Sequence, residues 1–197
     1  MKPETRAYIF VEGETDVAIL KKLLPTNLRK GVEIHAGGGV YGASTLAASF
    51  LAKRQQPVAL VLDADTNDEH LIFERYDIAR WSLEQASVNT PYEVLIAKPS
   101  IEAIFFQDQA LLESVTHHKF TELEWRLASL QPLAILTKEP NGKLPTVQKL
   151  LGSLNQESIE KLRQHPLIQS LTGFLASVIK NGKGTKAADQ NGKAHRD

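Results

Sequence analysis

The sequence has no cysteine, which excludes disulfides, thiolate zinc sites and cysteine nucleophiles. It has no surplus charge either: 23 Lys and Arg stand against 23 Asp and Glu. Whole-chain charge therefore does not mark a nucleic-acid binder, although a local basic patch would serve as well. No stretch approaches the ~18 consecutive apolar residues of a membrane helix. The N-terminal MKPETRAYIF has no apolar signal-peptide core. The expectation is a cytoplasmic protein with no membrane partner. There is no GxSxG serine elbow. No Walker Lys-Ser pair follows the glycines at 37–39, so an ATP P-loop is excluded. His117 and His118 are adjacent and diverge on a helix, which does not suit a zinc pair.

What is present is an alternation of apolar runs and helical patterns. RAYIFVE (6–12) is apolar on nearly every residue, as a strand buried on both faces requires. Val17, Leu20, Leu23 and Leu24 follow at helical spacing, with Thr15 or Asp16 as the expected N-cap and Pro25 as the stop. Strands are expected at 31–36, 57–65 and 92–99, and helices at 43–55, within 66–86 and at 100–115, the last capped by Ser100. Trp81 and Trp125 sit at helical spacing among apolar neighbours and read as core.

This βαβαβαβα order predicts an α/β fold, a three-layer Rossmann-like domain with a mainly parallel four-stranded sheet over 1–116. Short proline-broken helices over 117–180 predict a helical extension that packs on the sheet or builds a partner surface. The end, 181–197, has no aliphatic residue larger than alanine and is expected to be a disordered basic tail. Counted from Lys180 onward, Lys180, Lys183, Lys186, Lys193 and Arg196 stand against Asp189 and Asp197. Two further basic groups are Lys21, Lys22, Arg29 and Lys30 after the first helix, and Lys138 and Lys143 around a turn.

Parallel sheets place ligand chemistry at the carboxyl ends of their strands. Glu12, Asp63 and Asp65 fall at such ends, and Glu102 just after one. Residues two apart on a strand point the same way, so the carboxylates of the DAD stretch can approach one point. Close carboxylates repel, and a hard divalent cation relieves that repulsion. For each acid a plainer role stays open: helix capping for Glu12 and Asp63, dipole compensation for Asp16 and Glu102. Asp68 is a further ligand or a loop acid. Gly13, Gly37, Gly38 and Gly39 would expose N–H groups to a phosphate or simply turn the chain. Lys98 would contact a phosphate or be solvated.

VEGETD followed about fifty residues later by LVLDADTND resembles the Toprim domain of topoisomerases, primases and several nucleases. HAGGGVYGASTLAASFLAKRQQPVALVLDAD and KPSIEAIFF resemble the corresponding segments of OLD-family nucleases over residues 6–110. The resemblance implies Glu12 in acid/base chemistry, Asp63 and Asp65 as Mg2+ or Mn2+ ligands, and Asp16 and Glu102 as further acids of the site. Gly13, Gly37, Gly38, Gly39 and Lys98 would form the phosphate-binding surround. The chain departs from the family in lacking the ATPase portion of full-length OLD proteins, and it has DAD where ribosomal-RNA maturases show DPD. It reads as a stand-alone Toprim protein. The expected function is Mg2+-dependent hydrolysis of nucleic-acid phosphodiesters, DNA ahead of RNA, in genome defence or repair, with a separate ATPase partner and a homo-oligomer as further expectations. Metal-dependent nucleotidyl transfer and a non-catalytic binding or regulatory module remain alternatives.

Overall fold

The computed structural model describes residues 6–137 and 146–188. Four strands form one parallel sheet: β1 (Ala7–Val11), β2 (Val32–Ala36), β3 (Val58–Asp63) and β4 (Tyr92–Ala97). Their order is β2-β1-β3-β4. The chain first moves from β1 to β2, then returns through α3 (Val40–Arg54) to β3 on the other side of β1. The direction of winding therefore reverses between β1 and β3. At such a switch point the two loops leaving the strands part and open a crevice.

Alternation along each strand divides the core into two layers. Ala7, Ile9 and Val11 of β1 face the same side as Ala59 and Val61 of β3. Tyr8 and Phe10 face the other, with Val58, Leu60 and Leu62. All five β1 residues are buried, because helices cover both faces. The second layer is closed by α3 and α4 (Glu69–Ala86) through Ala43, Ala47, Leu51, Ala79 and Leu83.

The first layer is closed by α1 (Glu14–Leu23) and by the C-terminal helices, after the short α2 (Thr26–Arg29). A 3-10 helix, Ile101–Gln107, leads into α5 (Gln109–Thr116). Then come α6 (Glu122–Ala128), α7 (Pro132–Thr137), α8 (Val147–Ser153), α9 (Gln156–Leu162) and α10 (Pro166–Ala188). Leu150, Leu162, Ile168, Leu171 and Leu175 from these helices share one continuous core with α1 and the sheet. The helical segment is thus the outer layer of one sheet face. Arg163 fastens it further, donating from Nε to the Leu23 carbonyl at 2.6 Å.

Several expectations change in detail. Residues 101–107 wind as a 3-10 helix instead of the start of an α-helix. Ile101 and Ile104, three apart and both buried, fall on one side of a helix with three residues per turn. The α10 backbone stays helical to Ala188, so the boundary expected at 180 does not fall there; residues 189–197 lie outside the described residues. Lys138 and Lys143 also lie outside them. Trp125 packs against Phe106 and Phe120 beside the core, but Trp81 is 65% exposed. Helical spacing located α4 but did not say which of its faces meets the sheet. Among the described residues no helix is long and apolar enough to cross a membrane.

Candidate active site

The crevice at the switch point is lined by carboxylates from three elements. Glu12 follows directly on β1, and Gly13 then caps α1 with extended backbone. The expected caps, Thr15 and Asp16, lie inside the helix instead. Asp16 occupies the third helical position, where its Oδ2 accepts the Gly13 N–H at 2.8 Å. A carboxylate there satisfies an orphan donor and faces the positive end of the helix dipole. It also carries the Asp16 side chain back toward the strand end, buried at 8% exposure.

Asp63 ends β3 on the opposite side of the crevice. Its N–H donates to Glu12 Oε1 at 2.9 Å, which joins the two strand ends directly. Its Oδ1 accepts the Ile101 N–H at 2.9 Å, which draws the 3-10 helix in beside it. That bond brings in Glu102, buried at 4% exposure, whose Oε2 accepts the Ser100 hydroxyl at 2.5 Å. The loop between is braced by Ala64 N–H to the Ala97 carbonyl and Asp65 N–H to the Pro99 carbonyl, both 2.8 Å.

Electrostatics show how close these groups are. Burial, then the charges of Asp16 and Glu102, push Asp63 up to about 8. Burial raises Asp16 above the usual carboxylate range, with Glu102 and Glu12 adding to it and the Gly13 N–H opposing. Glu12 is also raised by burial, against the lowering effect of the Asp63 N–H. Burial is the first cause in all three, and for Asp63 and Asp16 the neighbouring carboxylates add to it. As a donor set, hard oxygens in a half-buried cluster suit Mg2+ or Mn2+. Their present spacing does not form a preformed cage: among the described residues no three acidic or histidine side chains converge as metal ligands.

Asp65 stands apart from this group. Its backbone is left-handed, with φ 53°, and its side chain is 68% exposed. Arg75 on α4 holds it through a 2.8 Å ion pair and also donates to the Asp63 carbonyl. The strand rule placing Asp63 and Asp65 side by side fails because β3 ends at Asp63. Arg75 was missed in the sequence. Its only signal is its place on the first turns of the helix that follows the DAD stretch.

The fold compares with one solved structure. The chain is similar to the C-terminal region of the OLD protein of Xanthomonas campestris pv. campestris, at a TM-score of 0.52 and 15% identity. The match covers 91% of this chain and 98% of that one. This chain shares its fold with the C-terminal region of an OLD protein. The shared span is longer than the α/β unit alone, so the OLD-like fold takes in C-terminal helices. No family model matches the chain, and no curated protein is similar to it.

Within this OLD-like fold the other expected site residues fall differently. The glycine loop does not offer its N–H groups to a phosphate. Gly37 donates to the Val11 carbonyl at 2.8 Å, and Gly38 and Gly39 both donate to the Glu12 carbonyl at 2.9 Å. The loop therefore clamps the backbone of Glu12. Gly37 is required by close approach, since a Cβ there would lie 2.1 Å from Ala43 N. The Gly13 N–H is likewise taken, by Asp16. Lys98 is engaged by Glu69, with Nζ 2.7 Å and 2.8 Å from the two carboxylate oxygens. Asp68 is the N-cap of α4, accepting from His70 and Leu71 N–H, not a ligand of the cluster. Lys21 and Lys22 lie at the far end of α1, roughly 10 Å from its first turn by helical rise, and Arg29 lies on α2.

Proposed function

We propose that this protein is a metal-dependent nuclease that hydrolyses nucleic-acid phosphodiesters at the crevice between β1 and β3. The observation that carries the reading is the electrostatic proximity of Glu12 and Asp16 at the β1–α1 turn, Asp63 at the end of β3 and Glu102 on the 3-10 helix, which share one half-buried rim. Helix capping accounts for Asp16 alone; it does not explain why Asp63 and the buried Glu102 lie close enough to raise it or be raised by it. The resemblance of VEGETD and DAD to Toprim motifs and the OLD-like fold support the same reading.

Asp63, Asp16 and Glu102 would hold the cation, with Asp65 joining on release from Arg75. A bound divalent cation would neutralise phosphate oxygens and acidify a coordinated water. Glu12 is the proton carrier. The Asp63 N–H fixes its Oε1, which leaves the second oxygen for proton exchange. Its raised pKa brings it nearer to neutral pH, where an acid/base catalyst works best. Arg75 is placed to meet phosphate charge once Asp65 turns away. A separate ATPase partner, DNA as the preferred substrate and a defence role are the further parts of this proposal.

The test is cleavage of labelled DNA and RNA, single- and double-stranded, with Mg2+, Mn2+ or EDTA. Wild type should cut only with metal, and Glu12→Gln and Asp63→Asn should be folded and inactive. A folded Asp63→Asn protein that cuts at the wild-type rate sinks the assignment. The Arg75–Asp65 ion pair favours one second reading, a non-catalytic module in which that pair is permanent. It predicts no metal-dependent turnover on any substrate.

A further inference from the structure

A groove of about 590 Å3 runs between α3 and α4 and opens beside the carboxylate cluster. Leu62 and Ala64 at the end of β3 form its floor, and Tyr41, Leu71 and Ile78 stand along its walls. Asp65 and Arg75 line the same groove, so it is continuous with the candidate active site. Its walls are mostly apolar but carry hydroxyls, Ser44, Thr45 and Ser82 among them. Tyr41 is 87% exposed, Ile78 64% and Leu71 52%, which leaves large apolar surface without a partner among the described residues. Core packing therefore does not explain these three residues.

We infer that this groove receives an unstacked nucleobase of a single strand whose phosphodiester lies on the carboxylate cluster. The inference rests on the nuclease reading and names its substrate class. Three properties select a base. The groove's volume falls in the range of small-ligand pockets, large enough to admit a base. Its open aromatic wall suits stacking, which tolerates any base because every base has a π-face. The guanidinium of Arg75 marks the junction with the acidic cluster, where the strand's phosphate must pass. Hydroxyls on both helices can meet a base edge. A paired duplex would keep its bases out of the groove, so single strands or frayed ends are the preferred substrate, as for other enzymes that need a base out of the stack.

The experiment uses the full chain and single-stranded DNA carrying 2-aminopurine at successive positions. Binding is read with Ca2+ and cleavage with Mg2+ or Mn2+. One position beside the scissile phosphate should change its fluorescence on binding. Tyr41→Ala should weaken binding about tenfold, the scale of one lost base–aromatic stack, and Tyr41→Phe should restore it. Tyr41 is exposed, so neither substitution disturbs the fold. If wild type cleaves but Tyr41→Ala binds and cleaves equally well, the groove is not the base site and the nuclease reading stands. If wild type cleaves no nucleic acid, both fall together. If instead the chain self-associates through Tyr41 with oligonucleotide binding unchanged, the groove is a protein interface and the inference is overturned.

Discussion

Replacing Asp63 by Asn should make the metal-free protein more stable at alkaline pH while removing its response to metal. Asp63 is pushed from an ordinary 3.8 to about 8 by burial and by Asp16, Glu102 and Glu12. Between those values the folded state holds a proton that the unfolded chain has lost. Stability must therefore fall as pH rises from about 4 to about 8, and the loss is complete above the folded value. At ~1.4 kcal/mol per pH unit, a group wholly shielded from water would lose on the order of 6 kcal/mol. Asp63 keeps some solvent contact and its neighbours share the proton, so roughly 2 kcal/mol is the reasonable share. Asn keeps the Oδ1 that accepts from Ile101 and removes the charge. In a chain of this size, that corresponds to about 4–8 °C in Tm. The assay is thermal unfolding of both proteins in EDTA at pH 5 and pH 9, then at pH 9 with Mg2+. The two should be close at pH 5, and Asn should be the more stable at pH 9. Mg2+ should raise wild type and leave Asp63→Asn unmoved. An Asp63→Asn protein less stable than wild type at pH 9 in EDTA would show that the ionised Asp63 is not opposed by its buried surroundings and neighbouring acids.

Further perturbations probe other parts of the account. Glu12→Gln keeps the acceptor for the Asp63 N–H, so its Tm should stay within a few degrees of wild type while turnover falls by about 100-fold or more, the scale of a lost acid/base group. Arg75 lowers the pKa of Glu12, so Arg75→Gln should move the acidic limb of the kcat/KM profile to higher pH; an unmoved limb would separate Arg75 from the proton carrier. Gly37→Ala forces a Cβ within 2.1 Å of Ala43 N and should cost about 3 kcal/mol or prevent folding, whereas Gly152→Ala, on the exposed side of α8, meets nothing and should be neutral or stabilising by up to ~1 kcal/mol; denaturant titration compares them. Arg163→Ala removes the link from the C-terminal helices to the end of α1 and should cost about 1–3 kcal/mol in the same titration.

The parts of the structure that were legible in the sequence are those written in local pattern. The apolar runs of 6–12 and 57–65 announce strands buried on both faces, and the helices between them announce a parallel sheet. Glu12 and Asp63 could be placed on one rim because each ends such a run. The legibility stops where a single residue's backbone turns. Asp65 was expected beside Asp63, yet a left-handed φ sends it out to Arg75. The glycines at 37–39 carry the composition of an anion nest, but their N–H groups close on the carbonyls of Val11 and Glu12. Arg75 could not be found by spacing, because Asp68 sets where α4 starts and hence which residues face β3. Trp81 shows the same limit from the other side: helical period without helical face.

Under the proposed function, Glu12, Asp16, Asp63 and Glu102 would share a divalent cation that relieves their repulsion. The most direct measurement is calorimetric titration of the full chain with Mn2+ at pH 7.5, repeated in buffers of different ionisation heat. Binding should be coupled to release of about one proton, because Asp63, pushed up to about 8, still holds most of its proton at that pH. Asp63→Asn should lose both the binding and the release. Binding with no proton release, or binding that survives Asp63→Asn unchanged, would contradict this reading.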